Sequence, residues 1–174
     1  MKKVVILYWA KGGNVEKAAN VVYGKLGSEM ADIYDLESFD LSRLHQYELA
    51  ILGGSTVGAD NWEDATNDNM WNWFFRNIEG KDLSDLTFAA FGLGNQMLYP
   101  DNFVDALGIF HDEIAKTNAR IIGRWPVTGY RFTNSEGAQK DEFYGLALDE
   151  DTEHELTDER VTRWLDQIYK EMEF

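Results

Sequence analysis

The sequence predicts an α/β fold, in which one five-stranded parallel sheet carries helices on both faces. Three observations point that way. Short apolar runs recur (Val4–Trp9, rich in β-branched residues, then Glu48–Gly54 and Leu86–Phe91), the pattern of strands buried on both faces of a parallel sheet. Between them, apolar residues fall three or four apart, as the buried stripe of a helix requires. Strand and helix alternate five times, which returns each strand parallel to the one before. No repeat or linker interrupts the pattern, so residues 1–174 are expected to form a single domain.

The first unit runs from Lys3 to Gly27. Val4–Trp9 is too short to span a membrane and reads as a buried strand. Val15, Ala18, Ala19, Val22 and Leu26 then mark a helix that Gly27 stops. Between strand and helix, Ala10-Lys11-Gly12-Gly13-Asn14 forms a tight turn. It aims the free N–H groups of a helix start, and one lysine, at whatever lies above the sheet edge, which suits an anion. The bland alternative is a glycine turn without a ligand, because the loop matches neither G-x-G-x-x-G nor G-x-x-x-x-G-K-[ST].

Ala31–Asp35 is a short second strand. Leu36–Tyr47 reads as a loop with a helical turn that Asp40 or Ser42 caps. Glu48–Gly54 is the third strand, and Ser55–Asn69 is polar and acidic with no strong period. Met70–Ile78 is an aromatic helix whose Trp71, Phe74 and Phe75 pack in the core. Leu86–Phe91 is the fourth strand, left at the same sheet edge through Gly92–Gln96. Phe103–Ala115 is an amphipathic helix. Arg120–Trp125 begins a fifth strand that Pro126 interrupts, and Phe143–Leu148 resumes extended patterning after a polar segment. The last helix is capped by Thr157 and buries Val161, Trp164, Leu165 and Ile168.

Sixteen basic against 31 acidic residues leave a net charge of −15. That sign argues against nucleic-acid binding, where phosphates must be neutralised. It fits a protein steered toward basic partners, or solubility alone. With no cysteine, disulfides and thiolate chemistry are excluded. His45, His111 and His154 show no metal-ligand spacing, and His111 is expected on a helix surface. No apolar run approaches the ~18 residues of a membrane span, and the N-terminus lacks a signal peptide's apolar region. A cytoplasmic protein without membrane contact is the expectation.

Ligands of such sheets sit outside the carboxyl ends of the strands. Three loops meet there: Ala10–Asn14, Ser55–Asn69 and Gly92–Tyr99. An anion site beside walls such as Val57, Trp62 and Tyr99 suits a planar ring with a phosphate tail, as in a nucleotide-like cofactor.

The C-terminal half carries the most specific motifs: G-R-W-P-V-T-G-Y-R-F over 123–132, G-L-A-L-D-E-D over 145–151 and L-T-D-E-R-V over 156–161. With D-N-F at 101–103 and D-A-L-G at 105–108, they make the chain resemble a long-chain flavodoxin over essentially its full length. The resemblance implies a three-layer, flavodoxin-like sandwich whose last strand is split by an inserted loop. It implies non-covalent FMN and one-electron shuttling without substrate turnover. The implied partners are basic redox proteins, a flavin reductase and an electron acceptor, met by a monomer. Docking would use an acidic rim of Asp60, Glu63, Asp64, Asp68 and Asp101.

The residues implied at the cofactor are Ala10, Lys11, Gly12, Gly13, Asn14 and Val15 for the phosphate; Ser55, Thr56, Val57, Gly58 and Trp62 in the second loop; Leu93, Gly94, Asn95 and Tyr99 in the third; and Asp151 near the ribityl chain. Tyr99 matches the family's stacking tyrosine. Asn95 stands where aspartate is usual, its carbonyl turned to the ring N3–H. The Gly58 peptide is the one that flips to accept from reduced flavin N5, cheaply because it is glycine.

Departures concentrate at this site. The family's T/S-x-T-G-x-T phosphate loop has Ala10, Gly12 and Val15 at its three hydroxyl positions. At ~1.5–3 kcal/mol per hydrogen bond to a charged group, the loss is about 4–9 kcal/mol before Lys11 offsets any of it. Val57 replaces the usual tryptophan or tyrosine, and Trp62 is either the substitute wall or an exposed or core residue. The alternative reading is therefore a flavodoxin-fold binding or regulatory module with weakened or lost FMN binding.

Overall fold

A computed structural model of the chain describes residues 2–55 and 69–174. Its main sheet contains β1 (Val4–Tyr8), β2 (Ala31–Asp35), β3 (Leu49–Ser55), β4 (Thr87–Leu93) and β5 (Arg120–Ile121), all parallel, in the order β2-β1-β3-β4-β5. The helices are α1 (Asn14–Leu26), α2 (Met70–Ile78), α3 (Ala106–Ala115) and α4 (Thr157–Met172). Alternation along each strand sets the layers. Val4, Ile6 and Tyr8 face a core shared with Val15, Ala18 and Val22 of α1 and Val161, Trp164 and Ile168 of α4. Val5 and Leu7 face the opposite core, with Trp71, Phe74 and Phe75 of α2 and Phe110 and Ile114 of α3. The result is three layers, helix on sheet on helix, as the alternation predicts.

The aromatic helix lies close to β3 because Gly54, next to the strand's last residue, has no side chain. A Cβ on Gly54 would stand 2.6 Å from the Phe110 ring and 2.9 Å from the Trp71 indole nitrogen. Those two rings pack with centroids 4.7 Å apart.

The fifth strand departs from the expected Arg120–Trp125. Only Arg120 and Ile121 pair with β4, at Thr87 and Phe88. Gly123 then takes φ 84 and turns the chain away, and Pro126 has no N–H to give a ladder. Trp125–Pro126 (β6) instead joins Ala138–Gln139 (β7) and Glu142–Phe143 (β8) in a small antiparallel sheet of order β6-β8-β7. Leu146–Leu148 (β9) returns beside β4 at Phe91–Leu93, completing the split strand. Its approach is so tight that a Cβ on Gly145 would meet the Ala90 carbonyl oxygen at 2.1 Å.

Two helix starts also differ. α3 begins at Ala106 rather than Phe103, because the Asp105 carboxylate is drawn to Asn102 Nδ2 (3.0 Å) and the Glu136 N–H (2.8 Å). Thr157 is the first residue of α4, not its cap. A 3-10 turn over His154–Leu156 precedes it, and its hydroxyl donates to Glu150. Asp40 does cap the Leu41–Gln46 turn, accepting from the Ser42 N–H at 3.0 Å. No helix among the described residues is long and apolar enough to cross a membrane.

Candidate functional site

The chain leaves β1 toward β2 on one side and later places β3 on the other, so the loops above β1 and β3 diverge. A crevice at such a switch point is where open α/β sheets take ligands. A cavity of about 410 Å³ opens there, a size typical of small-molecule sites. Its lining is drawn from four strand ends: Ala10, Lys11, Gly12, Gly13, Asn14 and Val15 after β1, Ser55 of β3, Leu93, Gly94, Asn95 and Tyr99 around the end of β4, and Glu150 and Asp151 after β9. Thr56, Val57, Gly58 and Trp62, with Asp60, Glu63, Asp64 and Asp68 of the expected acidic rim, lie outside the described residues. Trp9 does not line the cavity. Its indole donates to Glu37 Oε1 at 3.1 Å, and its ring packs on the α2/α3 core.

The β1–α1 loop is built to present main-chain donors. α1 has no side-chain cap, because its N-cap is Gly13. The N–H groups of Lys11, Gly13, Asn14 and Val15 make no hydrogen bond among the described residues. Gly12 sits at φ 89, a left-handed conformation that favours glycine. Nothing stands within 4 Å of where a Cβ would be on Gly12 or Gly13, so the backbone lies open on that side. Lys11 is exposed and enters none of the ion pairs among the described residues. The Val15 side chain is buried in the α1/α4 core.

The opposite wall is held by carboxylates. Asp149 is fully buried and accepts from the Gln96 N–H (3.1 Å), the Thr152 N–H (2.9 Å) and the Thr152 hydroxyl (2.6 Å), pinning the loop after β4 to the one after β9. Asp151 takes Asn14 Nδ2 on one oxygen and Asn95 Nδ2 on the other, each at 3.2 Å, and so ties that wall to the start of α1. Asn95 Oδ1 accepts from the Met97 and Leu98 N–H groups at 3.1 and 2.9 Å. Both of its lone pairs are thereby used inside its own loop, and the carbonyl that the resemblance assigns to a ring N–H is turned inward. Tyr99, 57% exposed, projects beside the cavity.

Two residues near this site escape the sequence reading. Glu150 lines the cavity, with Lys17 Nζ 3.4 Å from its carboxylate. Glu16 accepts the Gly12 N–H at 2.5 Å and the Tyr8 hydroxyl at 3.0 Å. Its signal was present: a glutamate three residues past a helix cap is where a capping box places one.

A family model described as Flavodoxin matches residues 6–164. The chain belongs to the flavodoxin family. It is 38% identical to Flavodoxin 1 of Escherichia coli (strain K12) over 168 residues, covering 96% of this chain and 93% of that one. It is 36% identical to the flavodoxin of Klebsiella pneumoniae over 173 residues, covering 99% and 96%. Among solved structures, Fusobacterium nucleatum flavodoxin bound to flavin mononucleotide matches with a TM-score of 0.84 at 22% identity, over 98% of this chain and 99% of that one. Within the flavodoxin architecture, this chain offers an anion bare main-chain amides and one ammonium group where the expected loop offers hydroxyls.

Proposed function

We propose that the chain is a small acidic carrier that binds FMN non-covalently and passes single electrons between redox proteins. One observation carries this reading: four N–H groups at the start of α1, and the Lys11 ammonium, border a cavity at the β1/β3 switch point with no hydrogen-bond or ion-pair partner among the described residues. That donor set suits a phosphate dianion, because charge-assisted bonds are the strong ones and a helix start carries positive potential. Lys11 and the amides of residues 11 and 13–15 would hold the phosphate, and the Asp151 and Tyr99 side chains, which also line the cavity, would contact the rest of the cofactor. When bound, the flavin supplies the one-electron chemistry. The residues around it orient it and set the electrostatic cost of adding charge to it.

The acidic surface, −15 overall, steers the monomer toward basic redox partners in the cytoplasm, a reductase and an acceptor. The protein turns over no substrate of its own. The test is titration of FMN into apo-protein, followed by quenching of flavin fluorescence. Saturable quenching at micromolar FMN is expected, and a basic reductase should then reduce the bound flavin at a rate that falls with salt. Absence of quenching with the fold intact by circular dichroism would reject the carrier reading in favour of a module without FMN.

A further inference from the structure

We propose that Glu16 is a built-in competitor for the phosphate, and so the residue that sets how strongly this chain distinguishes FMN from riboflavin. The inference rests on the carrier reading and concerns the same cavity. Five N–H groups run along the loop from Lys11 to Val15. Four lack a protein acceptor among the described residues, and the Gly12 N–H is taken by the Glu16 carboxylate at 2.5 Å. The carboxylate is held from both sides, since its other oxygen accepts the Tyr8 hydroxyl at 3.0 Å. Tyr8 ends β1 and is nearly buried. Burial first, and the bond to Glu16 next, push its phenol up to about 12, so it stays a neutral donor.

Glu16 thus does for the first turn of α1 what an anion would do. It satisfies a main-chain donor and answers the positive end of the helix. An incoming phosphate must share the loop with that charge or displace it. Ala10, Gly12 and Val15 supply no hydroxyl to offset the loss, and among the described residues Lys11 is the only basic one lining the cavity. The ring and ribityl chain would contact the wall formed by Tyr99, Asn95 and Asp151 and not Glu16, which does not line the cavity. Glu16 therefore weakens the phosphate's share of binding and leaves the ring's share alone.

The experiment measures Kd for FMN and for riboflavin with the wild-type chain, Glu16→Gln and Glu16→Ala. Glu16→Gln keeps an acceptor for Gly12 and removes the charge. It is expected to raise the ratio Kd(riboflavin)/Kd(FMN) about tenfold, a difference of about 1.4 kcal/mol. The change should come from tighter FMN with riboflavin unmoved, and it should shrink in 1 M salt. Glu16→Ala, which frees the N–H outright, should raise the ratio at least as far. A ratio that stays put or falls while riboflavin still binds would overturn the proposal and leave the carrier reading intact. If neither flavin binds any variant, the carrier reading fails instead. Inorganic phosphate then decides the inference: it should raise the melting temperature of Glu16→Gln more than that of the wild type, and an equal shift would overturn it.

Discussion

Replacing Lys11 by methionine removes the one cation that lines the cavity among the described residues, while keeping most of the apolar stem. The two carboxylates lining the cavity are differently placed. Glu150 has Lys17 within 3.4 Å, whereas Asp151, among the described residues, is held by two neutral amides. A phosphate therefore depends on Lys11 for its opposite charge. Two unit charges ~4 Å apart gain ~1 kcal/mol in water and ~4 kcal/mol at an effective dielectric of ~20. Lys11 is exposed, so the lower figure applies, roughly doubled because the phosphate is a dianion. A loss of ~1–2 kcal/mol is a fall in FMN affinity of about five- to thirtyfold. The assay is fluorescence titration of FMN and of riboflavin at two ionic strengths. The Debye length shrinks from ~30 Å at 0.01 M to ~3 Å at 1 M, so the deficit should be full at low salt and within about twofold at high salt. Riboflavin binding should not change. Unchanged FMN affinity at low salt would mean that the main-chain amides hold the phosphate alone. Equal losses for both flavins would mean that Lys11 props the loop and does not touch the ligand.

Three further outcomes follow from the same geometry. Asp149→Ala strands the Gln96 and Thr152 donors. Gln96 is buried and Thr152 exposed, so at ~1–3 kcal/mol for one buried unpaired group it should lower stability by about 1–3 kcal/mol, seen as a lower denaturant midpoint at constant slope. Ala10→Thr should tighten FMN by about tenfold if the restored hydroxyl reaches the phosphate, one charge-assisted bond's worth. Gly12→Thr should not, because a β-branched residue at φ 89 is strained by ~1–3 kcal/mol; comparing the two by titration and thermal melting separates them.

Burial pushes the Tyr130 phenol up to about 12 from 10.0. Between those values the folded chain keeps a proton that the unfolded chain releases, so stability is lost as pH rises from 10 to 12, by roughly 3 kcal/mol. Tyr130→Phe should flatten that part of the stability–pH curve, at the expense of the bonds from Trp125 Nε1 and to the Ala147 carbonyl at neutral pH. An equally steep fall in the variant would exclude Tyr130 as the cause.

Much of the architecture was legible along the chain. Strands buried on both faces must be apolar at every position, and β1 and β3 announce themselves that way. The α1 and α4 stripes are equally plain, because one face of each helix meets the sheet. The broken fifth strand was legible only in outline: Pro126 marked the break, but the return of Leu146–Leu148 beside Phe91–Leu93 depends on a glycine, Gly145, fitting against the Ala90 carbonyl. The start of the last helix differs from expectation for a similar reason. Thr157 has the chemistry of a cap, yet Glu150, seven residues back, offers its hydroxyl a carboxylate.

The site divides along the same line. Order and composition alone determined that a glycine turn follows β1, that a loop carrying Tyr99 leaves β4, and that both open at one sheet edge, since parallel strands put all their carboxyl ends together. Only the tertiary structure decided what the polar side chains do there. Asn95 closes its own loop, Asp151 bridges two asparagines that lie far apart in the chain, and Glu16 takes the Gly12 amide. Burial is a property each residue carries with it, so periodicity reveals it. A hydrogen bond near 3 Å belongs to a pair, and which groups become pairs is settled when separate loops are brought within reach.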